Sequence, residues 1–78
     1  MTKYKTKYDI GDKVYIPVYQ FGDSYYESAL GYIQTVHITK NSIAYTVETI
    51  VRNFFINELQ CFSNKEDCEE LCEKLNFK

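Results

Sequence analysis

The chain has no tryptophan, one proline, three glycines and a single histidine. It also has no apolar run near the ~20 residues that a membrane span needs. Its start, Met1-Thr2-Lys3-Tyr4-Lys5, lacks the apolar stretch of a secretory signal. These absences predict a cytoplasmic protein without membrane contact. In that reducing compartment the three cysteines are expected as thiols. The lone His37 has no Ser or Cys that the sequence pairs with it, so no catalytic triad can be read. A net charge of −2 lacks the basic excess of a typical nucleic-acid binder. No repeat, low-complexity segment or linker divides the 78 residues, which predicts a single domain over 1–78.

What the chain does have is aromatics and alternation. Eight tyrosines and five phenylalanines suit strands, rims and interfaces, because a Tyr ring is apolar with a polar tip. In residues 13–19, Val14, Ile16 and Val18 alternate with Lys13, Tyr15 and Tyr19, the pattern of a half-buried strand. Pro17 falls on the outward set and cannot donate a ladder bond, which predicts an edge strand there. Gly11-Asp12 before it reads as a tight turn. Residues 20–28 read as a loop turning at Gly22-Asp23-Ser24. A long strand follows over Ala29–Thr39. Its inward set slips from Ile33 to Val36 and Ile38, which predicts a β-bulge near Gln34-Thr35. Lys40-Asn41-Ser42 reads as a hairpin turn into a third strand on Ile43, Tyr45 and Val47. Residues 49–56, with Ile50, Val51, Phe54 and Phe55, read as a fourth, less regular strand.

The end of the chain reads as a helix over about 64–75. Ser63 is its expected N-cap, with Glu66 completing a capping box. Cys68, Leu71, Cys72 and Leu75 fall on one stripe at i, i+3, i+4 and i+7. So short a helix needs a sheet to pack against. The fold class expected is therefore α+β.

Three stretches carry the resemblance to a known fold: Tyr8 to Val14 (Tyr-x-Ile-Gly-Asp-x-Val), Gly31 to Ile38 (Gly-Tyr-Ile-x-x-Val-x-Ile) and Ile43 to Val47 (Ile-x-Tyr-x-Val). With Glu58-Leu59 and the acidic helix after them, the chain resembles SH3-like small barrels of the KOW and Tudor type. It also resembles short phage and mobile-element proteins that share this layout. The resemblance covers about 8–62 and implies a four- or five-stranded antiparallel SH3-like β-barrel with one C-terminal helix. Such barrels bind peptides, modified side chains or nucleic acid, or serve in assembly, so the fold alone names no function. A small barrel is filled by its own side chains, whereas an enzyme pocket takes roughly 300 Å³ or more. The expectation is a non-enzymatic protein-interaction module without a cofactor. The resemblance adds a phage or mobile-element protein that binds and modulates a host protein.

The expected protein-binding residues are Tyr19, Phe21, Tyr25 and Tyr26, in and beside the 20–28 loop. An exposed edge strand is the other expected surface and is compatible with a homodimer. The competing reading is a small nucleic-acid binder. Lys3, Lys5, Lys7 and Lys13, interleaved with Tyr4 and Tyr8, would meet phosphates and stack on bases. Glu66, Asp67, Glu69, Glu70 and Glu73 form an acidic helix face, read as solvated, that could also meet a basic partner. Cys61, Cys68 and Cys72 with His37 are the residue types for zinc, but their spacing is no Cys-x-x-Cys knuckle. Core packing is the expectation for the thiols, and no metal site is expected. Asp9 and Asp12 read as turn residues rather than a catalytic pair.

Overall fold

The computed structural model describes residues 6–20, 22 and 25–77. Lys3, Lys5 and Phe21 lie outside the described residues. Strands β1 (Lys13–Gln20), β2 (Tyr25–Ile38), β3 (Ile43–Glu48) and β4 (Asn53–Asn57) form one antiparallel sheet in that order. A 3-10 turn at Glu58–Gln60 then leads to helix α1 (Lys65–Asn76). The fold is thus α+β, an open four-stranded sheet with one C-terminal helix.

β2 organises the sheet because it is long enough to serve two partners. Its first half, Tyr25 to Tyr32, pairs with β1, and the stretch from Tyr32 to Ile38 pairs with β3. The ladder to β3 slips between Ile33 and Thr35, as the phase change in the sequence predicts. Upstream, Gly11 takes a left-handed φ of 95°. Asp12 Oδ2 accepts the Asp9 amide at 2.8 Å, the turn role expected of both acids. The Gly11 amide then bonds the Ile33 carbonyl at 2.8 Å.

Four expectations about the strands and their connections need correction. Tyr25 to Ser28 belong to β2, because they pair with Gln20 to Pro17 across the hairpin, so the loop is shorter than 20–28. Residues 49–52 are the β3–β4 turn, not strand. Ile38, expected to face inward, is exposed at the last position of β2. Pro17 sits on the edge strand as expected, yet it is buried rather than outward. Helix α1 packs against both β1 and β2, so the alternation of β1 alone does not say which of its residues are exposed.

The core gathers Tyr8, Val14, Ile16, Ile33, Tyr45, Val47 and Cys61. Val14, Ile16, Tyr45 and Val47 are the inward positions of the alternation. Tyr8 is buried through polar contacts that tie the N-terminal segment to the 3-10 turn. Its hydroxyl donates to the Cys61 carbonyl at 3.0 Å, and its amide donates to the Tyr45 hydroxyl at 3.2 Å. The Tyr45 hydroxyl in turn donates to Glu58 Oε2, which also accepts the Lys7 amide at 3.0 Å. Burial, then the Glu58 contact, pushes the Tyr45 phenol up to about 12.

The helix stripe appears as its spacing predicts, with Cys68 and Cys72 buried and Leu71 and Leu75 half-buried. The cap, however, is Asn64, not Ser63. Its side-chain oxygen accepts from Glu66 N at 2.7 Å and from Asp67 N at 3.4 Å. One residue decides which side chain reaches the free amides of the first turn. At the far end Asn76 clamps Tyr26, accepting its amide at 2.6 Å and donating to its carbonyl at 3.0 Å. Asn64→Ala should therefore lower the unfolding free energy by about 1 kcal/mol. Ser63→Ala should move it by no more than about 0.5 kcal/mol. Urea denaturation of the two variants reads the difference, and the reverse ranking would restore Ser63 as the cap.

Candidate protein-binding groove

The site begins with the two partners of β2. Because β3 ends at Glu48, opposite Tyr32, the side of β2 before Tyr32 has no strand partner toward β3 among the described residues. The β3–β4 turn stands over that stretch. The two walls enclose an open groove of about 940 Å³, with Val18, Ala29 and Phe54 as half-buried apolar floor. Tyr19, Leu30 and Tyr32 line it from β1 and β2, and Ile50 and Val51 line it from the turn. Leu30 is 44% exposed and Tyr32 51%.

The close fit of wall to wall depends on Gly31. A Cβ there would stand 2.5 Å from Val47 Cγ1, 2.8 Å from the Glu48 carbonyl and 3.1 Å from Thr49 Cγ2. Only a residue without a side chain lets β2 pass beneath the start of the turn.

The turn itself is built by one side chain. The Thr49 hydroxyl accepts the amides of Val51 and Arg52, each at 3.3 Å, and donates to the Arg52 carbonyl at 2.7 Å. The Thr49 amide donates to that carbonyl as well, at 3.1 Å. A threonine hydroxyl thus supplies the local bonding that Asn or Asp often gives a turn. The central positions are left to aliphatic residues: Ile50 is fully exposed at 103% and Val51 is 81% exposed. Neither exposure serves the fold, since hydrophobic residues at a turn tip bury nothing within the chain.

Charge around the groove has both signs. Glu27 and Glu48 line it, as does Arg52, whose guanidinium lies 4.8 Å from the centre of the Phe54 ring. That cation–aromatic contact holds Arg52 beside the tip.

The tyrosines expected to bind a partner fall partly here. Tyr19 lines the groove, and its ring meets the Tyr26 ring edge-on, with centroids 5.2 Å apart. Tyr26 is half-buried, and Tyr25 is exposed at the start of β2. Leu30, Tyr32, Ile50 and Val51 escape a sequence reading that takes Ile50-Val51 as strand. The signal that could find the turn is phase. The alternation of Ile43, Tyr45 and Val47 stops at Glu48, and Phe54 and Ile56 restart it, so 49–52 must turn.

The other candidates separate. Lys7 and Lys13 are exposed, but Lys7 precedes β1 in a bend and Lys13 opens the strand. Lys7 Nζ rests 5.6 Å over the Tyr8 ring. Cys61, Cys68 and Cys72 are buried, free thiols. Burial pushes Cys61 and Cys68 up to about 12 and raises Cys72. Thiolate is the form that binds metal or attacks as a nucleophile, so these thiols are inert packing groups. His37 is half-buried, with Nε2 2.7 Å from Thr46 Oγ1 and its ring 4.9 Å from that of Phe55. Among the described residues no group of three His, Cys, Asp or Glu side chains could hold a metal ion. The helix acids Glu66, Asp67, Glu69, Glu70 and Glu73 are all exposed. No helix among the described residues is long and apolar enough to cross a membrane. Comparison of the chain with family models, with curated proteins and with solved structures returns no match.

Proposed function

We propose that this chain is a non-enzymatic protein-interaction module that binds its partner through the groove between β2 and the β3–β4 turn. The observation that carries the reading is the apolar pair Ile50 and Val51 at a turn tip, beside exposed Leu30 and Tyr32. Exposed apolar residues scattered singly need no explanation, but a cluster rimmed by charge is the usual form of an interaction surface. The groove is open, and most of its lining is apolar or aromatic, with Glu27, Glu48 and Arg52 as its charged residues. Tyrosine on its wall fits protein contact, as the sequence leads one to expect.

The architecture we assign with this reading is an SH3-like barrel. Two features support it. A 3-10 turn follows β4, and Phe62 then exchanges both backbone hydrogen bonds with Tyr15, at 2.7 and 3.0 Å, on the open side of β1. A one-residue bridge at that edge is the start of the closure such barrels use. The further expectation, of a phage or mobile-element protein that modulates a host protein, rests on the resemblance of layout.

The test is affinity capture from lysate, with and without nuclease and at rising salt, of the wild-type chain beside Leu30→Glu. A protein held by the wild type at high salt and lost with Leu30→Glu is the expected result. Recovery of nucleic acid instead, lost as salt rises and unaffected by Leu30→Glu, would overturn the groove reading in favour of the lysines, because phosphate contacts weaken steeply with salt.

A further inference from the structure

We propose that the partner which covers the groove in the isolated protein is a second copy of this chain, docked about a two-fold axis, each turn tip in the other's groove. The proposal rests on the reading of the groove as a binding surface and names its occupant.

Three observations point to a second copy. A plug and a socket occur side by side on one molecule: Ile50 and Val51 project from the rim of the groove whose floor is Val18, Ala29 and Phe54. A two-fold operation brings each plug to the other's socket, so one patch satisfies itself, as an isologous interface requires. The second observation is charge. Arg52 flanks the tip and Glu27 lies in the β2 wall that faces it across the groove. When the tip of one copy enters the groove of the other, its Arg52 arrives at the wall carrying Glu27, and symmetry makes the same pair again. A surface built for a strongly acidic or strongly basic partner would carry one sign; this groove carries both, Arg52 with Glu27 and Glu48. The third is the low overall charge of −2, which opposes the approach of two copies very little.

The arrangement explains why the tip is aliphatic. Thr49 already holds the turn, so Ile50 and Val51 are free to serve the interface alone. A symmetric contact also leaves the chain able to meet another protein, which then competes with the second copy for the same groove.

Sedimentation velocity of the purified full chain over a concentration series decides the matter. The wild type should reach twice its 9.2 kDa mass at high concentration. Ile50→Lys/Val51→Lys should stay a monomer with an unchanged far-ultraviolet circular dichroism spectrum, since neither side chain supports the fold. Arg52→Glu should weaken the dimer at least tenfold, and Glu27→Arg combined with Arg52→Glu should restore it. A wild type that remains monomeric to several hundred micromolar overturns the proposal, as does a dimer that survives the tip substitutions. Capture of a foreign protein by a monomeric wild type, lost with Leu30→Glu, would leave the groove reading standing and remove only the second copy as its occupant.

Discussion

Gly31→Ala should cost about 3 kcal/mol of stability, the upper end for overpacking a filled site. The whole fold of a domain this small is worth about 5 kcal/mol. The added methyl meets Val47 Cγ1 at 2.5 Å and the Glu48 carbonyl at 2.8 Å. Val47 is fully buried and has nowhere to go. The carbonyl belongs to the backbone that pairs Tyr32 with Glu48, so moving it breaks the ladder where β2 passes from one partner to the other. Gly31→Val should fail to fold. Gly22→Ala is the control, because nothing stands within 4 Å of the Cβ it would add. Urea midpoints of the three variants check the set. An undisturbed midpoint for Gly31→Ala would mean that β2 and the turn do not meet as closely as described.

The second large effect is a loss of stability in alkali. Cys61, Cys68 and Tyr45 are each held at about 12 in the folded chain, and burial raises Cys72 and Tyr8 as well. Ordinary values are 9.0 for the thiols and 10.0 for the phenols. The folded values stand above the unfolded ones, so the stabilisation is complete below pH 9 and is lost as pH rises from there toward 12. Each group that has ionised only in the unfolded chain contributes a slope of about 1.4 kcal/mol per pH unit. Several such groups should exhaust a stability of about 5 kcal/mol and unfold the protein near pH 11, roughly. Circular dichroism across pH 8 to 12 should show a flat region and then a cooperative loss. Tyr45→Phe should make the fall shallower. A chain still folded at pH 11.5 with an unshifted urea midpoint would sink the argument.

Much of this fold is legible in the sequence, and the limits are physical. The bulge can be read because a slip of one residue flips the faces of a strand, and Ile33 against Val36 records the flip. The helix stripe can be read because burial forces one period on it. The cap cannot be placed between Ser63 and Asn64, since both are good caps and only the backbone decides which one reaches the amides. Pro17 reads as outward because the alternation of one strand does not reveal what the rest of the chain, here a helix from its far end among others, packs against that strand. Ile50 and Val51 read as strand for a related reason. Branched aliphatic residues favour strands wherever packing decides, and here a threonine hydroxyl decides first. Composition is enough to point to Tyr19. It does not point to Leu30 and Tyr32, because two exposed apolar residues on a long strand come to line a groove only when a turn from elsewhere stands over them.

The way Thr49 carries the turn has a consequence for how this chain can change over generations. Two adjacent positions are exposed and leave the bonding of the turn to Thr49, so on the proposed reading substitutions there would alter what the molecule recognises while leaving its foldedness almost untouched. On that reading a single hydroxyl separates recognition from folding, and the tip would be able to drift as fast as its partner does.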